Sequence, residues 1–321
     1  MSYCLVNFGG PRFLEEVAPF LTELLSDRDV VRTNFPTLLH NWMFGRIAKK
    51  RAEKTKLDYA MLGGKSPIYE DTEAVAIALR ERLQAPVLTF HRYLPITHAD
   101  SLRAIEECGA EEIRVVPMFP QFTYATTGSI ARLFAKRLSR RTVKKLRWTP
   151  SYPTHPGFIA SWTRRIGEFL HEHKLDEKSV ILLFSAHGIP RAFVETGDPY
   201  ERECTQSFEA LRTHFPRALC RLSYQSKFGR GEWLRPYTDE TCAQILHWNK
   251  QRTHIVVVPL SFTSDHIETL FEIEELYLPV LRKQGLTAHR CPALNREAYW
   301  LDALSNIAKS APSATTRSLI A

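Results

Sequence analysis

The sequence predicts an α/β fold, in which helices cover both faces of parallel sheets, from its apolar runs and the segments between them. Five short runs have the β-branched and apolar composition of buried strands, and they span 3–8, 86–90, 113–119, 179–184 and 254–262. Amphipathic stretches with helical spacing lie between them, at 70–83, 157–174 and 201–213. Continuous apolar strands that alternate with helices are typical of parallel sheets buried on both faces.

An internal similarity suggests two related halves. Residues 113–134 and 254–273 both run from an apolar strand through a proline and a short polar loop into a helix. The segment 149–158 is rich in proline and small polar residues, which is typical of a domain boundary. The composition of the last residues is that of a disordered tail. The predicted parts are therefore an N-terminal domain over 1–150, a C-terminal domain that begins at 151, and a disordered tail over 310–321.

Charge and cysteine usage narrow the class of protein. Lys and Arg number 43 against 35 Asp and Glu, a net charge of +8 that suits anionic ligands, nucleic acid or a membrane surface without choosing among them. The basic segment 132–147 is most simply a helix with a solvated face, so no nucleic-acid partner is predicted. The six cysteines are scattered without any CxxC pair, which favours a reducing cytoplasm over a disulfide framework or a zinc site. No leader or membrane span is predicted, and peripheral membrane contact stays open.

The histidine of "SAHGIP", His187, directly follows the apolar run 179–184. In parallel α/β sheets, ligands bind beyond the carboxyl ends of the strands, so His187 is placed where a site is expected. A lone histidine is more often structural. Its small neighbours Ala186 and Gly188 favour a functional role, because they would leave space over the imidazole for something flat or bulky.

A row of acidic residues follows the last apolar strand. On an α-helix, the spacing i, i+3, i+7 and i+10 places them along one stripe, which contains Asp265, Glu268, Glu272 and Glu275. A solvated acidic face is the simple alternative. Like charges at this spacing repel unless a cation, shared protons or a histidine compensates them. The row could therefore bind a divalent metal or relay protons.

Basic and aromatic residues form a third feature. Segment 41–59 combines Trp42, Met43 and Phe44 with six Lys or Arg residues, and further aromatic and basic residues occur at 90–95 and 226–240. Each alone would be a solvated or core residue. Together they suit a large, flat, apolar ligand that carries carboxylates, with aromatic contacts for its plane and cations for its rim. GxGxxG, Walker A and HExxH signatures are missing, so nucleotide chemistry is not predicted.

These features occur within an ordered series of motifs that covers nearly the whole chain. The series is "VNFGGP" (6–11), "GGKSPI" (63–68), "HRYLP" (91–95), "FPQFTYATTGS" (119–129), "FSAHGIP" (184–190), "GDPY" (197–200), "YQSKFG" (224–229), "WLRPYTDE" (233–240) and "FTSDHIETL" (262–270). In this series the chain resembles the ferrochelatases, the chelatases that insert ferrous iron into a porphyrin. The resemblance implies two Rossmann-like domains with an active-site cleft between them, the second domain ending at 294 and a C-terminal helix over 295–309 packing back on the first.

The resemblance also implies roles for individual residues. His187 and Glu268 correspond to the catalytic, metal-binding pair, with Asp265, Glu272 and Glu275 as the proton or metal path. A π-turn in this helix would change which carboxylates line up. The family's porphyrin-binding positions fall on Arg51, Ser66, Arg92, Tyr93 and Trp233, with Trp42 to Phe44 as an apolar lip.

The implied substrates are a porphyrin and Fe²⁺, and no prosthetic group is expected. No cysteine follows Cys291, so we expect a bacterial-type enzyme without the [2Fe–2S] cluster that some relatives hold in a C-terminal extension. Relatives that use coproporphyrin commonly carry Tyr at the position of Phe8, which favours protoporphyrin IX over coproporphyrin III. A porphyrin or haem carrier without catalysis is the alternative from another class. The chain is expected to act as a monomer.

Overall fold

The computed structural model describes residues 1–229 and 231–320 and contains two four-stranded parallel sheets. Their strand orders are β2-β1-β3-β4 and β6-β5-β7-β8. The strands are β1 (Ser2–Asn7), β2 (Val87–His91), β3 (Ile113–Pro117), β4 (Leu146–Trp148), β5 (Val180–His187), β6 (Leu219–Gln225), β7 (His254–Pro259) and β8 (Thr287–Arg290). The predicted α/β class is therefore confirmed.

Helices connect the strands and flank both sheets. The α-helices are α1 (Val17–Ser26), α2 (Thr37–Met61), α3 (Ile68–Leu83), α4 (His98–Glu107), α5 (Ser129–Arg137), α6 (Arg140–Lys145), α7 (Pro156–Glu172), α8 (Arg191–Glu195), α9 (Tyr200–Arg212), α10 (Thr238–Ala243), α11 (Leu278–Lys283) and α12 (Ala298–Ser310). In the described part of the chain, Tyr124–Gly128 and Glu268–Tyr277 are π-helices. Within the described residues, no helix is both long and apolar enough to cross a bilayer.

The first compact unit contains Met1–Ser151 together with the chain from Leu304 onward. Its central strand β1 is buried along its whole length. One side of the sheet is covered by a core that includes Val115, Phe134 and Trp148. The unit is thus completed by residues from both ends of the sequence.

The predicted disordered tail is wrong for residues 310–320, which pack against this first unit. Ala314 and Trp148 exchange backbone hydrogen bonds of 2.7 and 2.8 Å. The indole Nε1 of Trp148 donates to Thr316 Oγ1 at 2.9 Å. Leu319 is 5% exposed within the same core. The composition of the tail suggested disorder because its few apolar residues are isolated in the sequence. The tail is ordered because its residues bind Trp148 or pack in the core that contains Trp148.

The second compact unit contains Tyr152–Ala303 and carries the other sheet. Strand β5 is buried except at its last residue, His187. The core between its sheet and helices includes Leu183, Val257, Ile273 and Leu281. This sheet therefore presents one partly exposed imidazole at the carboxyl end of its central strand.

The internal similarity seen in the sequence corresponds to a shared topology. Both sheets follow the same order, and the third strand of each unit leads into a π-helix. The third strands, β3 and β7, begin the two similar segments 113–134 and 254–273.

The predicted helix over 132–147 is wrong, because the chain forms α5, α6 and β4 there. The first helix ends at Arg137, and Ser139 caps the second, its Oγ accepting from the backbone N–H of Thr142 at 3.2 Å. Serine is favoured at such an N-cap, where its hydroxyl replaces a missing helical acceptor. Edge strands β6 and β8 were not predicted, since their residues are too polar to stand out as apolar runs.

Candidate active site

The backbone of His187, at the carboxyl end of the central strand β5, is held by contacts on both sides. It pairs with Gln225 in the parallel register of β5 and β6. Its backbone N–H donates to Ser261 Oγ at 2.9 Å, and the N–H of Gly188 donates to the Gln225 carbonyl at 2.8 Å. The imidazole therefore projects from a fixed backbone into the region beyond the strand ends.

The orientation of the ring determines which nitrogen can react. Nδ1 makes a short hydrogen bond to the Gly188 carbonyl, which only accepts, so Nδ1 carries the proton. Nε2 then holds a lone pair in the neutral ring and lies 3.4 Å from Glu268 Oε2. The lone pairs of Nε2 and Oε2 repel each other at 3.4 Å unless a proton or a cation lies between them. The arrangement can therefore act as a base or bind a metal ion.

A π-turn is present, because Glu268, Glu272 and Glu275 lie on a π-helix that Asp265 precedes. Hydrogen bonding from i to i+5 widens each turn beyond the 3.6 residues of an α-helix, so the α-helical stripe does not apply. Glu268 and Glu272 both reach the same hydroxyl, that of Ser226, at 3.1 and 2.6 Å. Glu275 is exposed and is not among these contacts.

Asp265 is occupied by structural contacts. Its Oδ1 accepts from Arg290 Nη1 and from Thr269 Oγ1, both at 2.8 Å, and its Oδ2 accepts from Asn295 Nδ2 at 2.9 Å. These bonds tie the loop before the π-helix to the chain after β8. The structure brings together His187 and two of the predicted carboxylates, while Asp265 and Glu275 face other surroundings.

The carboxyl group of Glu272 is the most perturbed acid of the site. Burial, together with the nearby negative charge of Glu268, raises its pKa to about 8 from an ordinary 4.5. Its Oε2 lies 2.6 Å from Ser226 Oγ, and it accepts from Gln225 Nε2 at 3.3 Å and from Tyr277 OH at 3.4 Å. Glu272 can therefore hold a proton at neutral pH.

This pKa predicts how stability depends on pH. The folded protein keeps a proton on Glu272 that the unfolded chain releases, so the free energy of unfolding should fall as pH rises from about 4.5 to about 8. We expect Glu272→Gln to flatten this decline, as measured by urea unfolding between about pH 5 and about pH 9. Glu275→Gln, an exposed substitution on the same helix, should keep the wild-type slope. Parallel curves for the wild type and Glu272→Gln would contradict the assignment.

Three further residues, which sequence reasoning did not single out, complete the site. Gln225 accepts from Ser185 Oγ at 2.7 Å through Oε1, so its Nε2 faces the π-helix and donates to the Glu268 carbonyl at 2.9 Å. His266 Nε2 lies 4.0 Å from Glu268 Oε1, and burial lowers the pKa of this imidazole. Ser226 is the third. "YQSKFG" and "DHIETL" contained all three, but motif letters alone do not show contacts.

The small residues around His187 have a different cause from the expected one. Ala186 is fully buried within the sheet. A Cβ on Gly188 would come within 2.9 Å of the Gln225 carbonyl oxygen and 3.3 Å of Trp233 Cε3. Close packing against β6 and Trp233 requires the glycine, so it is not evidence of open space over the imidazole.

Replacing Gly188 by alanine should therefore be costly. The new methyl group meets backbone, which cannot move aside, and we expect a loss of about 1–3 kcal/mol in the free energy of unfolding. Gly167→Ala is the matched control, because α7 leaves open space around Gly167 and alanine should add about 0.5–1 kcal/mol there. Urea unfolding of both variants tests this. Equal stability of Gly188→Ala and the wild type would be incompatible with the packing described.

Trp233, a predicted porphyrin contact, is 5% exposed in the second unit. Its backbone N–H donates to Tyr237 OH at 3.2 Å, and its ring lies 5.2 Å from that of Phe228. The adjacent N–H of Leu234 donates to the carbonyl of Ile189. Trp233 thus supports the turn that directly follows His187.

Arg92 and Tyr93, two more predicted porphyrin contacts, form a buried network in the first unit. The guanidinium of Arg92 donates to Ser129 Oγ, Glu23 Oε1 and Asp27 Oδ2 at 2.6–2.7 Å. Tyr93 OH donates to Asp27 Oδ2 at 2.9 Å and is fully buried. Any anionic group that binds Arg92 must compete with two carboxylates.

The remaining predicted contacts lie in the same unit. Ser66 is 2% exposed and packs against Gly10, where an added Cβ would come within 2.7 Å of Ser66 Oγ. Arg51 is exposed on α2. Trp42, on the same helix, is 62% exposed, which is compatible with an apolar lip.

No group of three or more His, Cys, Asp or Glu side chains is close enough to hold a metal ion in the part of the chain that the structure describes. The candidate site therefore consists of a histidine and carboxylate pair with a second carboxylate behind it.

The family model for ferrochelatase matches residues 3–311. The chain belongs to the ferrochelatase family. It is thus an enzyme of the metal-chelatase type, a class of lyase. The ferrochelatase of Chlamydia caviae is 44% identical over 99% of this chain and 98% of its own length. That of Chlamydia trachomatis serovar A is 42% identical over 98% of each chain.

Solved structures of other chelatases share the fold. CbiX, the terminal enzyme for biosynthesis of sirohaem in denitrifying bacteria, matches with a TM-score of 0.54 and 15% identity, over 97% of this chain and 100% of CbiX. SirB from Bacillus subtilis with Fe³⁺ matches with a TM-score of 0.55 and 14% identity, over 100% of this chain and 96% of SirB. At these identities the likeness establishes architecture alone.

Proposed function

We propose that this ferrochelatase family member inserts Fe²⁺ into protoporphyrin IX, releasing two protons, as a step of haem biosynthesis. The observation that carries the proposal is the lone pair of His187 Nε2, fixed by the Nδ1 hydrogen bond and facing Glu268 Oε2 at 3.4 Å. Metal insertion needs a group that accepts a pyrrole proton, or transiently ligates iron, close to a negative charge. An imidazole suits either task near neutral pH.

Glu268 would hold the imidazole and balance the charge that forms on it. The pyrrole proton would then move toward Glu272 in exchange for the proton that Glu272 already holds. A pKa of about 8 lets this carboxyl group both release and take up a proton near neutral pH. The proposed proton path is shorter than the predicted one through Asp265 and Glu275. Asp265 is hydrogen-bonded to Arg290 and Asn295, and Glu275 is exposed. The path is thus proposed to contain two carboxylates.

A planar porphyrin is a poor substrate for this chemistry, because lone pairs and N–H groups compete within one plane. We propose that the bound porphyrin is bent, which exposes them on opposite faces. Phe8 offers an apolar, partly exposed ring at the end of β1, 4.5 Å from the ring of Tyr93, and this favours protoporphyrin over a porphyrin with more carboxylates. Arg51 and Ser66 stay predicted porphyrin contacts.

The environment of the enzyme is also part of the proposal. We infer a cytoplasmic monomer that uses no prosthetic group and no nucleic acid. The exposed apolar side chains of α2, among them Leu38 at 87% and Trp42 at 62%, support peripheral contact with an apolar substrate or membrane surface.

Anaerobic incubation with Fe²⁺ and protoporphyrin IX, followed by absorbance, tests the proposal. We expect conversion of the free-base spectrum to that of the metalloporphyrin, and faster turnover than with coproporphyrin III. A preference for coproporphyrin III would overturn the substrate assignment. Tight porphyrin binding without metal insertion would instead identify a carrier.

A further inference from the structure

Ser226 has an unusual backbone for a residue that is not glycine. Its φ is +65°, in the left-handed region where a Cβ is disfavoured. The residue directly follows β6, at the sheet edge that carries His187. A strained backbone at a candidate site is a reason to examine what the side chain does there.

The side chain of Ser226 contacts both carboxylates of the site. Its Oγ lies 3.1 Å from Glu268 Oε2 and 2.6 Å from Glu272 Oε2. The same Oε2 atom of Glu268 lies 3.4 Å from His187 Nε2. The left-handed backbone thus places one hydroxyl beside the carboxylate oxygen that faces the imidazole.

The two glutamates differ in how much they depend on this hydroxyl. Glu272 also accepts from Gln225 Nε2 and Tyr277 OH, so it keeps two partners without Ser226. Among the described contacts of Glu268 Oε2, the one to Ser226 is the shortest. Removal of this hydroxyl would take away the shortest described contact of Glu268 Oε2 and leave no hydroxyl between the two carboxyl groups.

We propose that Ser226 is a positioning residue, whose hydroxyl holds the Glu268 carboxylate beside His187 Nε2 and so preorganises the pair for an incoming divalent cation. The inference rests on the proposed metal insertion. Mutation of a residue that hydrogen-bonds to a metal-binding side chain commonly lowers metal affinity or activity by about 10- to 100-fold. Ser226 would act through Glu268 without contacting the porphyrin.

Two variants separate the hydroxyl from the backbone. Ser226→Ala removes the hydroxyl and keeps a Cβ at positive φ, whereas Ser226→Gly removes the hydroxyl and relieves the backbone. Lys174→Gly is the matched control, because Lys174 also has a positive φ, of +53°, in the same unit and is exposed. It should leave insertion kinetics unchanged.

The measurements are steady-state Zn²⁺ insertion into protoporphyrin IX and calorimetric Zn²⁺ binding in the absence of porphyrin. We expect both Ser226 variants to lose about 10- to 100-fold in kcat/KM for Zn²⁺ and to bind Zn²⁺ more weakly by a similar factor. The KM for porphyrin should stay within about twofold of wild type, which separates positioning from loss of porphyrin binding.

Several results would overturn the inference. One is wild-type insertion kinetics in Ser226→Gly, even if Ser226→Ala loses activity, because the backbone and not the hydroxyl would then be the cause. Another is unchanged Zn²⁺ binding in both variants. A wild-type protein that binds Zn²⁺ in a Ser226-dependent manner but never inserts it would overturn the proposed function and leave this inference standing.

Discussion

His187→Ala should reduce kcat for metal insertion by about 10²- to 10⁴-fold, the range over which a positioned acid or base commonly accelerates a reaction. The described contacts of Glu268 Oε2 are with His187 Nε2 and Ser226 Oγ. The substitution therefore removes the nitrogen lone pair that faces this carboxylate oxygen. The ring also projects from a strand end where it is a third exposed, so its loss leaves no buried cavity. The fold should therefore persist.

Porphyrin titration followed by absorbance, together with Zn²⁺ insertion kinetics, checks this expectation. Affinity for porphyrin should change little, while the kcat for metal insertion should fall by the factor given above. His214→Ala, at an exposed histidine after α9, controls for the loss of an imidazole elsewhere in the same unit. Turnover within about threefold of wild type in His187→Ala would remove this histidine from the mechanism.

Glu268→Gln should have a comparable effect on turnover, a loss of at least about 10²-fold. The amide has nearly the shape of the carboxylate, but it carries no charge to balance a cation or an imidazolium. Its nitrogen can also donate to His187 Nε2 and so occupy the lone pair that the reaction needs.

Zn²⁺ insertion by Glu268→Gln would be measured across the range from about pH 6 to about pH 9, in parallel with urea unfolding. Glu195→Gln, an exposed residue on α8, is the control for removing one negative charge from this unit. Normal unfolding with lost turnover supports the assignment. Recovery of wild-type rates at any pH in this range would argue against a need for the charge.

How much of this could be predicted from sequence depends on the kind of signal. Buried strands such as β5 are continuous apolar runs, so the α/β class and the position of His187 at a strand end follow directly. The polar edge strands β6 and β8 carry no such pattern. Their existence depends on pairing with β5 and β7, which is a tertiary effect.

The acidic row shows a second limit. Spacing on an α-helix grouped four carboxylates, whereas the π-helix groups Glu268 with Glu272 and leaves Glu275 exposed. Contacts set by backbone geometry, such as the hydroxyl of Ser226, leave no periodic trace in the sequence. The motifs identified the right segments, and the three-dimensional arrangement determined which side chains meet.

The arrangement of the first unit has a consequence for biosynthesis of the chain. Its core takes Leu319 from beyond the second unit, which is continuous in sequence from Tyr152 to Ala303. During translation the second unit can fold as soon as its own residues emerge, whereas the first must wait with part of its core uncovered. The unit whose synthesis begins first is thus the one that is completed last.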